Sequence, residues 1–188
     1  MTFTRTAALL ATGMLIASLP ATAHAQPVSP LYRLVDTAAQ RLATADPVSA
    51  SKWINGGPIT DTARANQVLD SVAADAAARG IDQQYVRAIF TDQVAATEGI
   101  EYTRFGQWKF DPATAPTTAP DLSESRSVID GYNKTMVDEV ALQWHSLHSV
   151  GCDAELAGVT AAVTADRHLD PLYQQALSSA TRSYCQLT

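Results

Sequence analysis

The chain reads as an all-α protein: a single-domain bundle of about six helices whose C-terminal helical hairpin is stapled by a disulfide. Three observations carry this reading. Apolar residues recur at three- and four-residue spacing through most of the chain, the period of a half-buried helix. Strand signals are scarce, and the composition leans on Ala, Leu, Gln and Asp. The two cysteines, Cys152 and Cys185, fall where a hairpin of the last two expected helices brings its open end together.

The first residues form an address rather than part of the fold. Arg5 supplies a positive start, residues 7–19 form a short apolar stretch, and Ala23-His24-Ala25 is a small-x-small cleavage signal. Residues 1–25 are therefore expected to be a cleaved signal peptide, with 26–188 as the mature domain. A membrane anchor is the alternative, but the apolar run is short for spanning a bilayer. The destination is the periplasm or the medium, with no membrane contact after cleavage. The 163 mature residues suit one domain with a sizeable core. With Arg5 gone, 12 basic residues face 19 acidic ones, a poor footprint for nucleic acid. An anionic ligand would have to be met by gathering those few cations at one place. Export permits a Cys152–Cys185 bond and the even count favours it, two separate buried thiols being the alternative. Closing a loop of about 34 residues is worth about 4 kcal/mol as an upper value.

The first helix is expected over Ser29 to Trp53, with Ser29 as cap and Pro30 in the first turn. Leu31, Leu34, Val35, Ala38, Leu42 and Ala45 form its apolar stripe, and Pro47 either kinks it or splits it in two. Asn55-Gly56-Gly57-Pro58 ends it. A second helix follows from Thr60 to Gly80, with Val68, Leu69, Val72, Ala76 and Ala77 inward. A third runs from the Asp82 cap to Phe110, with Tyr85, Ile89, Val94, Ile100 and Phe105 as core. Asp111 to Pro120, with three prolines and three threonines, is a loop. The fourth helix spans Ser123 to Leu147, with Val128, Tyr132, Met136, Val140 and Trp144 on one side. Two shorter helices cover Asp153 to Ala165 and Pro171 to Tyr184.

The cations fall in a pattern. Arg41 and Lys52 are 11 residues apart, which returns them to within roughly 20° on one helix face. Arg64 opens the second helix and Arg126 the fourth, whose free N–H groups add positive potential. Thr97 and Glu101 share a face of the third helix by their i,i+4 spacing. Each of these residues taken alone reads as a solvated surface group.

The ordered strings say more. Ala38-Ala39-Gln40-Arg41-Leu42 is followed by Ala45-Asp46-Pro47-Val48 with Lys52-Trp53, then Pro58-Ile59-Thr60-Asp61 with Arg64. Asp92-Gln93, Ala96-Thr97-Glu98 and Ile100-Glu101-Tyr102 form the densest stretch. Pro120-Asp121-Leu122-Ser123 leads to Ser125-Arg126, and the tail carries Arg167-His168-Leu169-Asp170 and Tyr184-Cys185-Gln186. Taken together, over nearly the whole mature chain, these strings resemble the gamma subclass of the all-helical chorismate mutases, exported single-domain bacterial enzymes. The resemblance implies a rearrangement of chorismate to prephenate with no cofactor and no metal. It implies that Arg41, Lys52, Arg64 and Arg126 surround the substrate dianion. Lys52 and Glu101 meet its ether oxygen, Thr97 adds a polar contact, and Asp61 orients Arg64 or offers a backbone contact. It also implies a homodimer with each pocket inside one chain.

Planar guanidinium forks suit carboxylates. A fixed cation suits an ether oxygen that gains negative charge as its bond to carbon breaks. Glu101 must be protonated to donate there, so Glu101→Gln is expected to keep substantial activity. One position departs from the family: where it can place a glutamine for the substrate's ring hydroxyl, this chain has Val68, with Gln67 about 100° away around the helix. A water or backbone group would then have to serve. The departure keeps a second class in view, an exported helical binding, effector or inhibitor protein that retains the scaffold without catalysis. His145 and His148 are three apart but have no third ligand at a fitting spacing for a metal. Asn133-Lys134-Thr135 is a formal glycosylation sequon inside an expected helix, and Trp53, Trp108 and Trp144 read as core.

Overall fold

The computed structural model describes residues 29–186; the expected signal peptide lies outside them. The described residues hold eight α-helical segments and no strand. The first two are α1 (Tyr32–Ala43) and α2 (Ala45–Asn55), and α3 (Thr62–Ala78) and α4 (Gln83–Phe110) follow. After a single 3-10 turn come α5 (Leu122–Leu142), the one-turn α6 (Trp144–Leu147), α7 (Cys152–Asp166) and α8 (Pro171–Ala180). Eight replaces the expected six because two helices are divided.

The first division follows from Pro47. A proline has no N–H for the carbonyl four residues back, which is Ala43, and its ring crowds that oxygen. The helix breaks directly after Ala43, where the Thr44 N–H turns to Arg41 O at 3.1 Å. The second division, at Gln143, has no proline or glycine to mark it. Elsewhere the caps lie where short side chains can serve the free N–H groups of a first turn. Asp61, Asp82, Asp121 and Asp170 accept from Arg64, Tyr85, Ser123 and Tyr173 N–H. Gly80, at φ 71°, ends α3 in the left-handed conformation that only glycine adopts without cost.

The long α4 is the spine and packs on α2, α3 and α8, while α1 packs on α5, α7 and α8. All six stripe residues of the first helix, from Leu31 to Ala45, are fully buried. Each buried leucine contributes about 1.5–3 kcal/mol over an exposed one. Val94 and Phe105 are only partly buried, and Ala77 is exposed. On α5 the expected stripe is displaced. Val128 is exposed and Tyr132 half-buried, and the inward line is Ser125, Asn133, Met136, Val137 and Val140. The polar members of that line are satisfied internally: Asn133 accepts from Arg41 Nε at 2.7 Å and Ser125 Oγ donates to Asp121 O at 3.5 Å. Trp53 packs edge-on against Phe105 and Trp108, and Trp144 stacks on His148.

Cys152 and Cys185 are bonded, their Cα atoms 5.6 Å apart. They join the start of α7 to the tail beyond α8, as the hairpin reading expects. α8 ends at Ala180, short of Tyr184. The chain turns through Thr181, whose hydroxyl bonds Leu177 O at 3.0 Å, and drives Tyr184 into the interior with no exposure.

Candidate active site

The division between α1 and α2 leaves Arg41 and Lys52 on one side, both directed into a pocket walled by α1 to α5. The pocket contains about 590 Å³ of space, its mouth included, which suits a small organic ligand. All seven residues singled out as substrate contacts line it: Arg41, Lys52, Asp61, Arg64, Thr97, Glu101 and Arg126. Val48, Ile59, Val68, Val94, Leu122 and Ile129 supply apolar surface between them.

Arg41 is the deepest cation, 4% exposed at the end of α1. Its Nε donates to Asn133 Oδ1 at 2.7 Å, and Nη1 donates to Thr97 Oγ1 at 3.2 Å and Gln93 Oε1 at 3.4 Å. All three acceptors are neutral, and no carboxylate of the described residues forms an ion pair with it. Burial pushes its pKa down to about 10, with Arg64 adding to the fall while Tyr184 and Asp130 oppose it. The guanidinium remains charged at neutral pH.

One face of α4 carries Thr97 and Glu101, as i,i+4 spacing requires. Glu101 is 3% exposed and accepts from Lys52 Nζ at 2.7 Å. Lys52 Nζ also donates to Ile59 O at 2.9 Å. An ammonium has three donors, so one is left for a ligand. Burial raises the Glu101 pKa, Lys52 pulls it back, and nearby Glu98 pushes it up again, leaving it raised.

The mouth is built differently. Arg64 Nη2 pairs with Asp130 at 2.6 Å, and its Nη1 donates to Gln67 Oε1 at 2.9 Å. Gln67 thus holds Arg64 on the exposed side and is not itself a lining residue. Asp61 caps α3 by accepting from Arg64 N–H at 3.0 Å, and its other oxygen is 3.5 Å from Arg126 Nη2. Arg126 itself is 41% exposed.

Sequence reasoning missed the neutral support behind Arg41. Gln93 was part of a quoted string without a role, and Asn133 stood out only as a sequon. Asn133 is 6% exposed inside α5 and bonded to Arg41, so a glycan has no room there. Asp130, three residues before Asn133, was also missed; this spacing on the Arg126 helix was the available signal. His148 stacks on Trp144, and no group of metal-ligating residues forms among the described residues.

The family model for chorismate mutase type II matches residues 32–102, the segment carrying six of the seven lining residues singled out. The secreted chorismate mutase of Mycolicibacterium smegmatis is 54% identical over 164 residues, covering 87% of this chain and 91% of that protein. The secreted chorismate mutase of Mycobacterium tuberculosis is 48% identical over 173 residues, covering 92% and 87%. Among solved structures, chorismate mutase from Burkholderia thailandensis superposes with a TM-score of 0.78 at 33% identity, over 83% of this chain and 99% of that one. Secreted chorismate mutase from Yersinia pestis shares the fold, with a TM-score of 0.67 at 19% identity, over 81% and 94%.

Proposed function

Because the chain belongs to the chorismate mutase family and shares its activity, we propose that chorismate rearranges to prephenate in the pocket between α1 and α5. The reaction breaks one carbon–oxygen bond and makes one carbon–carbon bond within a single molecule. The enzyme's task is to hold the compact conformer and to stabilise charge as it develops.

The state of Arg41 supports this reading best. It is a buried cation, held through Nε and Nη1 by three neutral oxygens, that lines the pocket with no carboxylate partner among the described residues. A buried unpaired charge is costly, and a substrate carboxylate completes it. Arg64 and Arg126 at the mouth serve the other carboxylate, with Asp61 and Asp130 holding them until the ligand arrives. The free donor of Lys52 meets the ether oxygen, where the transition state gathers more charge than the substrate.

Glu101 assists Lys52 in its protonated form. An ionised carboxylate would repel the ether oxygen, and a bound dianion works in the same direction as burial and Glu98. Val68, at 4% exposed, presents only a hydrocarbon surface to the pocket, so a backbone group or water meets the ring hydroxyl.

Two further proposals rest on the sequence and its family resemblance. Residues 1–25 are removed on export, leaving 26–188 as the working domain; sequencing the N-terminus of the exported protein would contradict this if it began elsewhere. The mature chain is a homodimer with each pocket inside one chain, and a monomeric mass by light scattering would refute it.

The test is chorismate loss with stoichiometric prephenate formation, comparing the wild type with Arg41→Ala. Removing one partner of a buried charge-assisted contact costs about 2–5 kcal/mol, roughly 30- to 5000-fold in kcat/KM. A variant with wild-type kcat/KM would remove Arg41 from the site.

A further inference from the structure

Behind Arg41 lies a second layer of buried polar groups that the reaction itself does not employ. Gln93 and Tyr184 both have no exposure. Gln93 turns Oε1 toward Arg41, at 3.4 Å from Nη1, which leaves its Nε2 directed at Tyr184. Gln93 Nε2 and Tyr184 Oη are both buried without a hydrogen-bond partner among the described residues, and the Gln93 amide opposes the rise that burial gives the Tyr184 pKa. Tyr184 and Arg41 are near enough that each alters the other's titration, Tyr184 raising the Arg41 pKa and Arg41 lowering that of Tyr184. A buried amide N–H and a buried phenol left half-satisfied are expensive in a core that could have used Met and Phe.

The tail that delivers Tyr184 is tied down with unusual care. Tyr85 Oη donates to Tyr184 O, Ser183 Oγ donates to Asp92 Oδ2 at 2.7 Å, and Gln186 N–H donates to Leu147 O at 3.1 Å. The next residue, Cys185, is bonded to Cys152.

We propose that Gln93 and Tyr184 are positioning residues that hold Arg41 in its substrate-facing orientation, and that the Cys152–Cys185 disulfide serves the site by keeping Tyr184 seated. This rests on the reading of Arg41 as a substrate contact. A guanidinium fork is specific only when its plane is fixed. Asn133 on α5 fixes Nε, and Gln93 on α4, with Tyr184 behind it, backs Nη1. The unpartnered Gln93 Nε2 and Tyr184 Oη are the slack in the arrangement. A small movement of Arg41 toward a bound carboxylate lets Gln93 close on Tyr184.

The experiment is steady-state kinetics and thermal melting of Tyr184→Phe, Gln93→Met and the double variant, with Arg41→Ala alongside. Phe and Met keep the volume and remove the polar atoms. Each single variant should raise KM roughly fivefold to tenfold, with kcat changed less and Tm close to wild type. The double variant should be little worse than Gln93→Met, because both act through one guanidinium. Cys185→Ser should raise KM by a similar factor and add little on top of Tyr184→Phe. Wild-type KM in Tyr184→Phe and Gln93→Met, with Arg41→Ala impaired, would overturn the inference and leave the pocket reading intact. An unimpaired Arg41→Ala would sink the pocket reading itself. A Cys185→Ser enzyme that melts early but keeps the wild-type KM would confine the disulfide to stability.

Discussion

The pocket has a buried wall and an exposed mouth, and they handle charge in opposite ways. On the wall, Arg41 and Glu101 are 4% and 3% exposed, and Lys52 is nearly as deep. Little water reaches these groups, so neighbours hold them: Asn133, Thr97 and Gln93 on Arg41, and Glu101 and Ile59 O on Lys52. At the mouth, Arg126 is 41% exposed and Asp130, the partner of Arg64, is 55% exposed. Solvent screens these pairs, and each is worth at most about 1 kcal/mol. Formal charge therefore does not rank the four cations. Under the proposed function, the fixed charge of the wall distinguishes a transition state from a substrate, and the exchangeable charge of the mouth attracts the dianion and releases its product.

The largest effect that sharpens this contrast belongs to Lys52→Ala. Losing a preorganised donor at a developing negative charge lowers kcat about 100- to 1000-fold, read from the turnover of saturated enzyme. An unchanged kcat would take Lys52 out of the chemistry. Arg126→Ala, at the mouth, should instead raise KM about fivefold and leave kcat near wild type. A large fall in kcat there would abolish the distinction between the two regions.

Glu101→Gln gives a smaller and more diagnostic effect. The Glu101 pKa is raised by burial, with Lys52 opposing, so the fold holds its proton to higher pH than a free glutamate does. Activity and stability that depend on that proton are present below the ordinary glutamate range and are lost as pH rises through the raised value. Glutamine cannot ionise and still accepts from Lys52. The variant should keep substantial activity and lose that decline in both a pH–rate profile and a pH series of melting curves. Complete inactivity with an intact fold would mean that the carboxylate itself is needed.

The two regions were also unequally legible in the sequence. Helices announced themselves through apolar spacing and Asp caps, because those signals are local. Pro47 announced the division of the first helix, though the break lies at Thr44, directly after Ala43, whose carbonyl loses its partner. The cations were found at both wall and mouth because charged residues are few in this chain and ordered strings frame them. What stayed hidden was neutral and non-local. Gln93 and Asn133 are residue types usually found at the surface, and only tertiary structure turns them toward Arg41. Tyr184 enters the core because α8 stops at Ala180, an end that the local pattern does not mark, although the cysteine pairing next to it was legible. Val128 was misplaced because the buried face of α5 includes the polar Ser125, Asn133 and Glu139, so its hydrophobic stripe does not describe its inner face.

The division between wall and mouth is tested most directly by measuring kcat and kcat/KM of the wild type as salt is raised from about 0.01 to 1 M. Over that range the screening length shrinks from about 30 to 3 Å. With capture at a solvent-screened mouth and chemistry on a dry wall, kcat/KM should fall steeply while kcat stays nearly constant. A kcat that fell in step with kcat/KM would mean that the charges doing the chemistry are themselves open to solvent, and would contradict the division.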